Sequence, residues 1–589
     1  MNNKTALMLS LGHNSSAVYF DGHSVIGYEE ERLNRVKSSS AYPALAIAEI
    51  EKNATITPGS KVYVSHWFND FNFHQTTTKY FDKEHFWNLV EKYNLEPTFL
   101  SEDFTHHDAH AWSALSWVRD KINDSQMSAV YGEKLHIIAA DGFGNDYETI
   151  SIYEINGSEL MNGSPSLVMR HKGYNESMGL MYQYAVDAVG MKMNQDEYKF
   201  LGYESHIKSV VSEKDYQNIV ATARLIAVEK LRNIINAQEL TQREFAPIAD
   251  VPALTETRLF WKDTCEKLLA SIDSGSTDTD KKKRIIIGHL VQTVIEEVMT
   301  GLVAEFDMRN VAVAGGIFYN VKLNNAILKT IPGLFSIIPL AGDQGCGPGM
   351  YEAFQGSFRF GNLKWGKRPS LAGYLDCLTA KEFDELGPYI SYYKSQDEVP
   401  IEELASLISS DEIVNVVRGS MEFGPRALCA TTTFALPTRS NVADINTMNN
   451  RDTVMPMAPV MSVLEADRYF DRSARERVIG SDKFMILTYD YNNFNNDDDT
   501  LAGVCHQYPT RELYSGRPQL IDNHDTWTLA LLDNLTTDHK VLINTSFNAH
   551  GRPIVFDVES VIDSFRFEFY RAKENGLKLP YLCLIDGEV

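Results

Sequence analysis

The chain has 589 residues, of which 44% are hydrophobic and 23% charged, and its formal net charge is −24 at pH 7. This length exceeds what one hydrophobic core organises and predicts two large domains of ordinary globular composition. The broad acidic field argues against non-specific binding along a nucleic-acid duplex.

In chain order, residues 6–11 are an apolar run that stops at Gly12-His13-Asn14-Ser15-Ser16. Strand-like runs at 17–20 and 24–28 follow, around a turn at Asp21-Gly22. The first five residues lead straight into this hairpin pattern, so no signal peptide is expected, and no run reads as a membrane span. The aromatics Trp67, Phe68, Phe71 and Phe73 lie in a polar stretch, suited to packing under a loop or to stacking on a ring. The hairpin pattern recurs at 135–140, the turn Asp141-Gly142-Phe143-Gly144, and 147–153. Two copies predict a duplicated α/β architecture with its site between the halves, at the loop ends of the sheets.

Helical periodicity predicts helices near 215–245 and 280–307, the second the stronger. Residues 311–314 read as a buried strand ending at Gly315-Gly316, where packing or close approach to a ligand would each call for glycine. The Gly-, Lys-, Arg- and Pro-rich segment 356–373 marks a domain boundary, giving domains 1–365 and 374–589. The Asn/Asp tract at 492–499 reads as an exposed loop. Six scattered cysteines without a CxxC pair make a disulfide framework unexpected and suit a reducing, cytoplasmic compartment.

The chemistry-bearing residues start with His106-His107-Asp108-Ala109-His110. A four-residue spacing on a helix points both outer imidazoles at one spot. Asp141 and Asp343, each in a glycine-rich turn, would complete an N2O2 set suited to iron, manganese or zinc. The alternative is a chance pair on a packed helix. In the second domain, Arg418 and Arg426 flank a glycine turn in Arg418-Gly419-Ser420-Met421-Glu422-Phe423-Gly424-Pro425-Arg426, as anion binding needs. Asn544-Thr545-Ser546-Phe547-Asn548 follows an apolar strand at 540–543 and offers donors for a bound anion. Surface ion pairs are the alternative use of these arginines.

Taken together, these segments resemble the O-carbamoyltransferases of the NodU/CmcH type over essentially the whole chain. The ordered set adds Glu29-Glu30-Glu31-Arg32, Glu197-x-Lys199-x-x-Gly202, Asp343-Gln344-Gly345 and the GSMEFGPRAL and NTSFN motifs. The resemblance implies a TsaD-like first domain of the duplicated actin-like ATPase class and an α/β YrdC-like second domain. It implies ATP with Mg²⁺ and carbamoyl phosphate as substrates, Fe(II) or another divalent metal in the first domain, and a hydroxyl-bearing acceptor. That acceptor would be a small molecule, a sugar or a hydroxymethylated nucleobase or nucleotide. His106, His110, Asp141 and Asp343 match the metal ligands. Arg418, Arg426, Arg451, Arg511, Ser546 and Asn548 fall in the nucleotide and carbamoyl-phosphate site. Glu197, Lys199, Gly315, Gly316 and Asn320 fall in the transfer pocket. His13 is the candidate base for the acceptor hydroxyl, with turn capping as its alternative. No membrane partner is implied, and a homodimer is the default assembly.

The chain departs from that family where cations are expected. Thr431 stands at a family arginine, Asn449 at a lysine, Met455 at an arginine and Arg552 at a glutamate. Each lost cation removes hydrogen bonds worth roughly 1.5–3 kcal/mol. Three readings follow: a donor site rewired for the same donor, a different acyl donor, or a binding or regulatory protein with a degenerate donor domain. The related threonylcarbamoyl chemistry on tRNA is disfavoured by the motif set and by the acidic balance.

Overall fold

In the computed structural model, described for residues 4–66, 80–144, 148–163, 165–174, 176–236, 252–271, 279–451, 456–492, 499–508 and 513–587, alternating apolar residues build the first sheet. β1 (Ala6–Ser10), β2 (Ser16–Phe20) and β3 (Val25–Glu29) form an antiparallel meander. β4 (Lys61–Ser65) pairs parallel with β1, and β5 (Glu96–Phe99) parallel with β4. Because side chains alternate along a strand, Met8, Val18 and Phe20 pack toward the Cys346–Phe354 helix. Leu7, Leu9 and Tyr19 take the other face, under the Ala44–Asn53 helix.

The second sheet repeats this plan. β6 (Lys134–Ala140), β7 (Glu148–Asn156) and β8 (Val168–Tyr174) form the meander, and β9 (Asn310–Ala314) and β10 (Phe335–Ile337) add in parallel. The orders β3-β2-β1-β4-β5 and β8-β7-β6-β9-β10 are the same topology, a duplicated actin-like α/β fold. The His106–Lys121 helix lies on β6 and β9 and crosses the Cys346–Phe354 helix. That crossing requires Gly349, since a Cβ there would stand 1.9 Å from the Ala109 carbonyl oxygen.

The predicted helices are present as Glu213–Asn236 and Thr279–Glu305; residues 237–251 are outside the described part. The second of these helices corrects the expectation that no segment has membrane-spanning character. It is long and apolar enough to cross a membrane, and 72% of its most apolar window is buried inside the protein. Its apolar residues serve as core, packing on Glu213–Asn236 and on the Val321–Thr330 helix.

The remaining strands form a mixed seven-stranded sheet and a small three-stranded one. β11 (Ile390–Tyr393), β12 (Val414–Arg418), β13 (Thr431–Ala435) and β14 (Ala458–Ser462) enter the large sheet first. β15 (Tyr489–Asp490), β16 (His506–Gln507) and β17 (Tyr514–Gly516) make the small sheet. β18 (Gln519–Ile521), β19 (Val541–Ser546) and β20 (Tyr581–Ile585) complete the order β11-β20-β12-β13-β19-β14-β18. Period-two alternation again splits the core. Val417, Leu582 and Leu584 face the Val558–Glu574 helix, while Val414, Val416 and Ile585 face Ile401–Ser409 and Thr526–Asp533.

Two arginines of the acidic-basic segment after β3 fasten this sheet to the first. Arg32 donates to the Gly424 carbonyl at 2.6 Å, and Arg35 donates to the Pro553 and Ile554 carbonyls at 2.9 and 2.7 Å.

Candidate active site

Thr105 caps the His106–Lys121 helix, and Asp108 closes a reciprocal capping box, worth about 1 kcal/mol. The fixed helix start sets the direction of the two histidines, whose Nε2 atoms stand 3.2 Å apart. Asp141 follows β6 directly. Its Oδ1 accepts the Gly142 N–H at 2.7 Å, which leaves Oδ2 3.2 Å from His110 Nε2 and 3.6 Å from His106 Nε2. Asp343 follows β10, with Oδ1 3.4 Å from His106 Nε2 and 3.8 Å from His110 Nε2. The four ligand atoms lie within 4.8 Å of one another. Gly315 is dictated by this geometry: at φ 110°, an added Cβ would stand 1.8 Å from the Ala140 carbonyl oxygen, beside Asp141.

The donor set fits a divalent cation, with two neutral imidazoles and two carboxylates around one point. Its electrostatics agree. Burial opposes a charge on His106, yet the Asp141 and Asp343 carboxylates outweigh it and push the imidazole up to about 10. Burial alone would raise both carboxyls; the imidazoles, with His13 acting on Asp343, hold them below the usual range.

His13 is exposed and lies within electrostatic reach of Asp343, His66 and Glu197. The position suits a base that faces both solvent and the tetrad. His66, which sequence reasoning missed, is buried at the end of β4, and burial lowers it to about 3. It follows its strand as His13 follows β1, so the rule that ligands gather at strand ends could have found it. Cys346 was missed as well; its sulfur lies within 4.8 Å of a ring nitrogen of His106 and of His110.

The second cluster gathers at the end of β19. Arg451 donates to Thr545 Oγ1 at 2.8 Å, to the Ser546 carbonyl at 3.0 Å and to the Asn548 carbonyl at 3.3 Å. Ser546 Oγ is 3.4 Å from the same guanidinium. Asn548 is fixed in turn by donating to the Arg552 carbonyl at 2.8 Å. Beneath lies Glu568, also missed. It accepts from Asn415 at 2.7 Å, sits beside Arg451 and Asn449, and is raised by burial to about 7.

The expected arginines do not all meet here. Arg418 is fully buried and spent: it pairs with Asp525, donates to the Cys429 carbonyl at 2.8 Å and to Thr528 Oγ1 at 2.9 Å, and lies over the Trp527 ring. Arg426 interacts with Tyr319. Arg511, Met455, Trp67, Phe68, Phe71 and Phe73 are outside the described residues. Asn320 caps the Val321–Thr330 helix and donates to Gln292 at 2.8 Å, while Gly316 faces Asp141.

One short segment of the first half reaches both clusters. Glu197, raised by burial, interacts with His13; Tyr198 interacts with Arg451; and Lys199 Nζ stands 3.3 Å from His550 Nε2 in the loop after β19.

Comparison with known families agrees with this arrangement. Residues 105–350 match the carbamoyltransferase N-terminus and residues 405–571 the carbamoyltransferase C-terminus. The chain belongs to the carbamoyltransferase family. It is 24% identical over 567 residues to an uncharacterized protein of Methanocaldococcus jannaschii, covering 94% of this chain and 95% of that one. It is 23% identical over 583 residues to Nodulation protein NolNO of Sinorhizobium fredii, covering 94% and 76%. Among solved structures, HypF of T. kodakarensis aligns at TM-score 0.27 and 12% identity, over 59% of this chain and 47% of that one. The protein is therefore a carbamoyl-transferring enzyme.

Proposed function

We propose that this carbamoyltransferase is ATP-dependent and acts on a hydroxyl, with residues 374–589 as a YrdC-like donor domain and residues 1–365 as the transfer domain. The observation that supports this best is the Glu197-Tyr198-Lys199 segment, which touches the surroundings of both clusters.

In the donor domain, carbamoyl phosphate and water would give carbamate and phosphate. Carbamate and Mg²⁺-bound ATP would then give carbamoyl adenylate and pyrophosphate. Arg451, held by three oxygens of the 545–548 turn, fixes that turn; Ser546 Oγ and the guanidinium charge would then face the donor. In the transfer domain, the acceptor oxygen attacks the carbamoyl carbon, the bond from that carbon to the adenylate oxygen breaks, and AMP leaves. His13 takes the hydroxyl proton, since a hydroxyl at its ordinary pKa is a weak nucleophile. A divalent metal held by His106, His110, Asp141 and Asp343 would supply Lewis acidity for the carbonyl or the leaving phosphate. The acceptor class is a hydroxyl-bearing small molecule, sugar or hydroxymethylated nucleobase or nucleotide.

The test supplies ATP, Mg²⁺, carbamoyl phosphate and ferrous iron without acceptor, and follows pyrophosphate and AMP. Release that requires carbamoyl phosphate, and that falls in Arg451→Ala and Ser546→Ala, is the expected result. A folded, metal-loaded protein with no release would overturn the ATP-dependent donor and favour another acyl donor or a binding role.

A further inference from the structure

A lysine ammonium has three N–H donors and no lone pair. Lys322, in the first turn of the Val321–Thr330 helix, is buried and finds its partners in distant parts of the chain. It donates to the Leu201 carbonyl at 3.2 Å, to the Glu204 carboxylate, and to His506 Nε2 at 2.6 Å. Leu201 lies in the Glu197–Tyr203 helix, Glu204 directly follows that helix, and His506 lies in β16 of the small sheet. The ammonium thus ties the small sheet to the helix that carries Glu197, Tyr198 and Lys199.

This geometry fixes the charge of each member. Facing an ammonium, His506 Nε2 can only accept, so the imidazole is neutral and keeps its proton on Nδ1. Burial opposes a second proton there, Lys322 and His206 oppose it further, and Glu204 favours it. Burial would raise the Glu204 carboxyl, but Lys322 and His289, whose Nδ1 stands 3.3 Å away, outweigh it and hold it at about 2. Glu296, within electrostatic reach of Glu204 and Lys322, is raised by burial to about 7.

The same helix face continues the contact with the small sheet through groups that keep their charge. Asn325 and Lys329 donate to Tyr508 Oη at 2.9 and 3.1 Å, and Lys329 donates to Asp490 at 2.8 Å. Against that constant background His506 is the variable member. A proton on its Nε2 would set N–H against N–H and add a second buried cation beside Lys322, with Glu204 as the shared counter-charge. We propose that His506, Lys322 and Glu204 form a proton-operated latch between the small sheet and the Glu197–Tyr203 helix, closed by neutral His506 and opened when that ring is protonated. The latch does not depend on which donor or acceptor the enzyme uses. A histidine held neutral in the closed state favours closure fully above its ordinary value of 6.5. Closure then weakens as pH falls further, by up to about tenfold per pH unit.

The test is hydrogen exchange of the full chain by mass spectrometry, corrected for the intrinsic pH dependence of exchange. Protection of segments 197–204 and 506–508 is expected to fall together, by about tenfold from about pH 7.5 to about pH 5.5, while β9 keeps its protection. His506→Gln keeps an acceptor for Lys322 but cannot titrate, so its protection should hold at both pH values. Glu296→Gln and His206→Gln should retain the wild-type loss. If His506→Gln does not fold, Lys322→Met serves: without the ammonium a proton on His506 meets no like charge at that distance, and the loss should shrink. Constant protection in the wild type, a fall in only one of the two segments, a loss that persists in His506→Gln or undiminished in Lys322→Met, or a loss abolished by Glu296→Gln overturns the proposal.

Discussion

The tetrad and the Arg451 cluster both sit at strand ends, but their charge is arranged in opposite ways. In the tetrad, two carboxylates and two imidazoles converge on one point, a donor set that suits a divalent cation. In the Arg451 cluster, the cation is present and spends its hydrogen bonds on the neutral oxygens of Thr545, Ser546 and Asn548, above the buried Glu568. Among the described residues, the departures Thr431, Asn449 and Arg552 border the second region, their carbonyls accepting from Phe547, His550 and Asn548. Thr431 bonds Glu422 at 2.8 Å, and Arg368 reaches both residues. At Asn449 no described cation beyond Arg451 faces Glu568, and that carboxyl rises toward neutrality. One region gathers carboxylates around imidazoles; the other gathers neutral oxygens around a guanidinium.

The sharpest way to break this comparison is to empty the tetrad. His110→Ala and Asp141→Ala each remove a ligand. Loss of an outer partner alone costs about 10- to 100-fold in metal affinity, so more than about 100-fold is expected here. Metal content and carbamoyl transfer should fall together while pyrophosphate release stays near wild type. If pyrophosphate release falls equally, the two regions are not separate sites.

The reverse pattern is expected of Arg451→Ala. Its hydrogen bonds order the 545–548 turn, and their loss should lower adenylate formation about 10- to 100-fold with metal content unchanged. Elemental analysis beside a pyrophosphate assay separates the two variants.

Glu568 sharpens the same contrast through pH. Its carboxyl is raised from 4.5 to about 7 by burial. A raised acid contributes stability that is fully present below the unfolded pKa and is lost as pH rises through about 7. Relative to Glu568→Gln, the wild type should therefore lose about 3 kcal/mol between pH 4.5 and pH 8. Denaturant melts of both proteins at the two pH values give this difference. A constant gap would mean that Glu568 stays ionised and pairs with Arg451.

Much of the first region was legible because its signals are local. Helix spacing aims His106 and His110 together, and glycine turns put Asp141 and Asp343 at strand ends. The repeated hairpins foretold the duplicated sheets. Arg418 was not legible: β12 is buried on both faces, so no polar alternation marks which way its guanidinium points. Strand β19 also runs on to Ser546, so Thr545 and Ser546 lie within it rather than after it. His66, Glu568 and Tyr198 escaped notice because their partners lie far along the chain, where local patterning carries no information.

The smallest expected effect tests what joins the regions. Lys199 pairs with Asp196 at 2.9 Å and reaches His550, while Tyr198 neighbours Arg451. Neither touches a tetrad ligand, so replacing Lys199 by Met should leave metal content and pyrophosphate release intact. If the 197–199 segment guards the passage between clusters, the adenylate would meet water more often before reaching the acceptor. The ratio of AMP released to carbamoylated product should then rise a few-fold, roughly the effect of one partly exposed charge contact. The ratio isolates coupling from rate, because slower chemistry in either half changes both products alike. An unchanged ratio would show that the clusters communicate by another route, and that the segment only packs the halves together.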